Sequence, residues 1–204
     1  VTISGTPTVA GIFNYTVTPT GGGCTGAVTA TGSITVNPTP NAVATPSAQI
    51  VCSANPITTI VLSGAVSGTT YAWTRDNTVN LTGIAAAGSG NISGTLTNTT
   101  NVVQTTTFTI TPTANGCPGA SITATVTVNS TPTVSPVPPN QTVCNGLPTA
   151  AITFTGPVAG TTFNWTNNTP SIGLAASSSG NIASFTAMNL TSAPVTATIT
   201  VTPV

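Results

Sequence analysis

Charge is almost missing from this chain: of 204 residues one is basic and one acidic, and there is no histidine. General acid–base catalysis, nucleophile–base pairs and histidine metal sites all need titratable side chains. The whole supply is Arg75 beside Asp76, four cysteines and two tyrosines. The composition therefore speaks against an enzyme, and no catalytic, cofactor-binding or metal-ligating residue is singled out. Nucleic-acid binding draws on clustered Lys and Arg that neutralise phosphate, which a single arginine does not supply, and a polybasic membrane patch is excluded on the same ground. Long apolar runs are missing too. The longest, such as 84–87 (IAAA), fall far short of the roughly 18–20 residues that cross a bilayer as a helix, so no membrane insertion is expected. No basic-then-apolar leader follows Val1, and the sequence reads as a processed product or a window cut from something longer.

What the chain has is threonine, 48 of them, among Ala, Val, Gly, Ser and Asn. A hydrophobic fraction of 39% with many β-branched residues favours folded strands over disorder. Twenty glycines and 17 prolines leave no capped stretch with helical apolar spacing. Strict period-2 alternation appears instead. Thr123, Thr125 and Thr127 alternate with Ala124, Val126 and Val128; Phe108 and Ile110 with Thr107, Thr109 and Thr111; Tyr15 and Val17 with Thr16 and Thr18; Ala197, Ile199 and Val201 with the threonines of 196–202. Each predicts a strand with one dry and one wet face, hence an all-β chain.

Internal repetition organises these strands. Residues 52–74 (CSANPITTIVLSGAVSGTTYAWT) align without gaps to 144–166 (CNGLPTAAITFTGPVAGTTFNWT), with ten identities in 23 positions at an offset of 92. SGNI at 89–92 returns at 179–182, and 98–112 matches 189–203. The opening residues match the back of the same unit: YTVTPT at 15–20 corresponds to FTITPT at 108–113, Cys24 to Cys117, and SITVNPTP at 33–40 to TVTVNSTP at 125–132. A period near 90 residues suits one small β-sandwich and is far too long for a solenoid coil. The expected organisation is 1–40 as the back half of a unit, 41–132 as a complete unit and 133–204 as a unit lacking its final hairpin. Proline-containing joints at 37–41 and 129–133 punctuate them.

Within the complete unit Cys52 comes first and Cys117 sits in the last hairpin, so a Cys52–Cys117 disulfide is the expected pair. The competing thiolate metal site lacks any CxxC spacing or histidine. A disulfide places the chain in an oxidising compartment, secreted or on a cell surface. Cys24 and Cys144 are then unpaired, or bonded to neighbouring material. Trp73 and Trp165 recur at equivalent places in GTTYAW and GTTFNW, and alternation sets Tyr71 and Trp73 on one strand face. Core anchoring is the expectation for both tryptophans, against an exposed sugar-stacking platform. Arg75 and Asp76 are expected in a solvated turn. Several Asn-x-Ser/Thr triplets, at Asn80, Asn91 and Asn98 among others, are of the kind that arises by chance in so threonine-rich a chain.

The units at 41–132 and 133–204 resemble the PKD-like, Ig-like repeats of very long surface proteins of Bacteroidetes, flavobacteria above all. The VC openings (Val51, Cys52; Val143, Cys144), GTTYAW and GTTFNW, the SGNI tetrapeptides and ITPTANGC ending at Cys117 carry the likeness. The opening 1–18 is similar to the second half of another Ig-like repeat of those proteins. The resemblance implies tandem antiparallel β-sandwiches serving as stalk or array modules in adhesins and gliding-associated filaments exported through the type IX system. In polycystin-type relatives a WDFGD-like element holds the tryptophan. Here Thr-Arg-Asp or Thr-Asn-Asn follows it, so calcium or carbohydrate roles of relatives do not carry over.

The expected function is thus structural: a repeat segment of an extracellular bacterial filament or stalk. Its partners are neighbouring copies of itself or adjacent repeats of the same chain, and an incomplete unit could be completed by strands of the next. The alternative is an adhesin module binding glycans or surfaces. Ordered threonine rows raise an ice-binding surface as a further thought, but flat ice-binding faces need short repeats, which are absent.

Overall fold

The computed structural model describes residues 2–20 and 28–204; the expected hairpin cysteine Cys24 lies outside them. Among the described residues fifteen strands run in chain order: β1 (Gly11–Val17), β2 (Ala30–Val36), β3 (Val43–Thr45), β4 (Ala48–Cys52), β5 (Val61–Ser63), β6 (Thr70–Arg75), β7 (Leu81–Thr82) and β8 (Ala87–Ser89). They continue with β9 (Thr97–Asn98), β10 (Gln104–Ala114), β11 (Cys117–Pro118), β12 (Ile122–Asn129), β13 (Phe163–Asn167), β14 (Ser177–Ser179) and β15 (Ile199–Pro203). The one helical element among the described residues is a 3-10 turn at Pro170–Ile172.

The main sheet has the order β4-β12-β10-β6-β8, with β11 paired to β10. All its pairings are antiparallel except β12 with β4, which run parallel from Thr125↔Ala48 to Asn129↔Cys52. The period-2 pattern sets its faces. On β10, Thr106, Phe108, Ile110, Pro112 and Ala114 are buried, and on β12 so are Ala124, Val126 and Val128. The facing layer is made of short pieces: β3 with β5, β7 with β9, and the bridges Ile60↔Ile92 and Pro56↔Thr95. It contributes Ile57, Ile60, Leu62, Leu81, Ile84, Ile92 and Leu96 to one core with Trp73, Phe108 and Ile110. Two antiparallel-dominated layers around one apolar core make a β-sandwich, and burial of these side chains is its main favourable term.

A second, smaller core gathers Phe154, Phe163, Trp165 and Ile182, with Ile199 and Val201 half-buried beside it. The sheet there is β14-β13-β15, with bridges Ile152↔Ile182 and Pro148↔Thr186 that repeat those of the first unit. Among the described residues β15 has no strand on its second edge.

Among the described residues of the first forty, the strands are β1 and β2, paired antiparallel. Their register is that of β10–β12: Tyr15↔Gly32 stands for Phe108↔Ala124, and Val17↔Ala30 for Ile110↔Ile122. The dry face expected for Tyr15 and Val17 is not dry. Phe13, Tyr15 and Ile34 stay exposed because no second layer covers them among the described residues.

Candidate functional site

The residues singled out by the repeat belong to a set of internal locks that recur in both larger units. Trp73 is buried in an edge-to-face pair with Phe108, ring centroids 5.6 Å apart, and its indole N–H donates to the Gly90 carbonyl at 3.1 Å. Trp165, also buried, donates to the Gly180 carbonyl at the same distance. The SGNI asparagine completes the corner. Asn91 Oδ1 accepts the Leu62 backbone N–H at 2.9 Å, and Asn181 Oδ1 accepts that of Phe154 at 2.9 Å. With both indoles inside, neither tryptophan offers a sugar-stacking platform.

Other locks lie outside the gap-free alignment. Gln49 brackets Thr58, donating to its carbonyl and accepting its N–H, and Gln141 does the same to Ala150. Asn98 Oδ1 accepts from the Thr100 backbone and hydroxyl, as Asn189 Oδ1 does from Thr191. Reading the 92-residue offset three positions upstream of Cys52 would have found the glutamines.

Arg75 corrects the expectation of a solvated turn. It is 8% exposed, and its guanidinium donates to the carbonyls of Ile84, Ala85, Asp76, Asn77 and Leu81, the shortest bond being 2.6 Å to Ile84. A planar fork of five N–H donors suits a loop whose carbonyls converge from several directions. Burial pulls its pKa below the ordinary arginine value, opposed by the charge of Asp76. Asp76 is itself exposed, yet it ties the loop to β10 by accepting the Thr107 N–H at 2.7 Å. In the second core Asn167 and Asn168 take these two places, donating to the Leu174 carbonyl and accepting the Thr198 N–H at 2.8 Å.

The expected Cys52–Cys117 disulfide is not formed; both are free thiols, as is the exposed Cys144. The reason is topological. Cys52 ends β4 opposite Asn129, at the end of the sheet where β12 leaves and β10 begins. Cys117 follows the far end of β10, opposite Ala114. The length of β10 separates them, about 33 Å at ~3.3 Å per residue, whereas a bridge needs Cα atoms within about 7 Å. The order of the cysteines along the chain does not carry the parallel pairing of β4 with β12, which sets them at opposite ends.

The pole that carries Cys117 touches the preceding hairpin. Asn115 (φ 50°) and Gly116 (φ 77°) form a tight β10–β11 turn in the left-handed conformation that an Asn-Gly pair adopts readily. Asn37, just past β2, donates from Nδ2 to the Asn115 carbonyl at 3.3 Å, and the Cys117 thiol lies 3.9 Å from the same oxygen. Pro40 is buried beside this turn, and a Cβ on Gly119 would collide with its carbonyl oxygen.

On the outer face of the main sheet a shallow groove of about 250 Å³ runs over Ala72, Thr74, Ala87, Thr109 and Thr111 and carries no charged group. Among the described residues no three His, Cys, Asp or Glu side chains come together, and no buried side-chain nitrogen or oxygen lacks a partner. No helix among them is long and apolar enough to cross a membrane. No curated protein matches the chain. Residues 49–132, the span that holds nearly all of the larger sandwich, match the family model of the PKD-like domain.

Proposed function

We propose that this chain is a structural segment of an extracellular bacterial surface filament or stalk, built of tandem PKD-like β-sandwiches. The observation that carries the reading is the recurrence of one set of hydrogen-bonded locks in two successive units: the buried Trp73 and Trp165, and the more exposed Asn91 and Asn181, Gln49 and Gln141. Each lock spends a side-chain polar group on a backbone partner of its own unit; none presents a reactive group to solvent. Outside, the wet faces carry threonine, including a cross-strand Thr105–Thr127 hydroxyl contact at 3.0 Å, and almost no charge. Without long-range repulsion such surfaces pack side by side or end to end at little cost. Between the first two units, the Asn37–Asn115 bond and buried Pro40 make a packed joint where a loose linker would leave both groups in water.

The test is protease shaving of intact cells of the source organism, followed by peptide identification, with immunogold labelling by antibodies raised against the chain. Peptides of the chain in the shaved fraction and gold along extracellular fibres are expected. Recovery only after lysis would overturn the reading. Glycan adhesion has no structural observation in its favour, since both tryptophans are buried.

A further inference from the structure

The chain carries two classes of cysteine by sequence, one in a VC dipeptide (Cys52, at the end of β4, and Cys144) and one aligned with the hairpin residue Cys117 (Cys24). In the complete unit the two classes occupy opposite poles, beyond each other's reach. The position of Asn37 gives this separation a purpose. By register Asn37 is the counterpart of Asn129, because β2 pairs with β1 as β12 pairs with β10. Opposite Asn129 lies Cys52, and the Ser53 N–H donates to the Asn129 carbonyl at 2.9 Å. A VC strand laid along β2 in the same way would set its cysteine opposite Asn37, about 4.8 Å away across the strands. Asn37 is the residue that bonds the hairpin turn of the next unit, with the Cys117 thiol 3.9 Å from the shared acceptor oxygen. One asparagine is thus flanked by a VC-strand position of its own unit and by the hairpin thiol of the unit that follows.

We propose that consecutive units are stapled across their joint by a disulfide between the hairpin cysteine of one unit and the VC-strand cysteine of the unit before it. Cys117 pairs with the counterpart of Cys52 in the preceding unit, and Cys52 with the counterpart of Cys117 in the following one. The inference rests on the tandem-array reading. In forming the bond two thiols give up two protons and two electrons. A disulfide-bearing oxidant, such as a thiol–disulfide oxidoreductase, accepts them and becomes a dithiol. No cysteine is then wasted inside a unit that its core already holds, and every covalent link falls where two units meet.

The protein is isolated from its native source without reductant, its free thiols are blocked with N-ethylmaleimide, and disulfide-linked peptides are sequenced after digestion. The expected result joins the Cys117 peptide to a VC-type peptide other than those of Cys52 and Cys144, and the Cys52 peptide to a hairpin-type peptide other than those of Cys117 and Cys24. Maleimide on Cys52 and Cys117, or a peptide joining Cys52 to Cys117, Cys117 to Cys144 or Cys52 to Cys24, would overturn the staple. Surface shaving separates the two ideas. Shaved protein with blocked thiols retains the array and removes the staple, whereas protein recovered only from lysate removes the array whatever its linkages.

Discussion

Arg75 and Asn167 stand at equivalent positions 92 residues apart, and both turn inward to donate to a loop carbonyl, Arg75 to Ile84 and Asn167 to Leu174. The arginine holds a wider loop, reaching Leu81 and Ala85 as well. Replacing it by methionine keeps much of the stem and strands those carbonyls without donors, each unmade bond costing about 1–3 kcal/mol. Arg75→Met is expected to lower the urea midpoint of the first transition by the equivalent of about 3 kcal/mol. Arg75→Asn, which imitates the second unit, should cost less. Equal loss in both variants would mean that the stem, and not its donors, matters.

Trp73 supplies the largest ring of the main core and one polar bond. Trp73→Ala is expected to cost about 3–5 kcal/mol by cavity formation. Trp73→Phe keeps a ring but leaves the Gly90 carbonyl unpaired, at about 1 kcal/mol. Denaturant melts followed by circular dichroism rank the two.

Asn98 lies in an Asn-Thr-Thr triplet, yet it is buried, and its amide donates to the carbonyls of Val102 and Val128. Folded protein is expected to carry no glycan at this position, which intact-mass and peptide mapping check. Asn98→Ala should destabilise by about 1–3 kcal/mol, because the Thr100 N–H and the Val128 carbonyl both lose a partner.

Stability should hardly respond to pH between about 5 and 8. There is no histidine, and the shifted group is Arg75, whose folded pKa lies below its unfolded one. For such a base the folded state binds protons less readily, so stability rises with pH only between the two values, in strongly alkaline solution. Below both, the burial penalty is constant. Urea melts at pH 5, 6.5 and 8 are expected to agree within about 0.5 kcal/mol, and added salt should change them little.

The strands are most legible where threonine alternates with an apolar residue and a second layer covers one face, because period 2 is then a direct image of one wet and one dry side. Over 196–202 the strand starts only at Ile199, and the Tyr15 face lacks its cover among the described residues. β10 and β12 follow the alternation residue by residue. The 92-residue recurrence likewise marks Trp73 and Trp165 as equivalent. Three things were not legible. The short pieces of the second layer, β3, β5, β7 and β9, are too brief for periodicity to register. The parallel placing of β4 against β12 is a long-range choice that no local pattern encodes, and the cysteine pairing went astray with it. Arg75 looked like a turn residue because a charge beside Asp-Asn usually is one, and the carbonyls it satisfies come from residues 76–85, which carry no signal of convergence.

The same parallel pairing has a mechanical meaning. β4 begins the main sheet and β12 ends it, side by side and pointing the same way from Ala48↔Thr125 to Cys52↔Asn129. Tension applied through the two ends of the unit drags β4 backward and β12 forward, along the strands and across their hydrogen bonds. The rungs are loaded together in shear and must rupture as a group, where a hairpin pulled from its open end would peel one bond at a time.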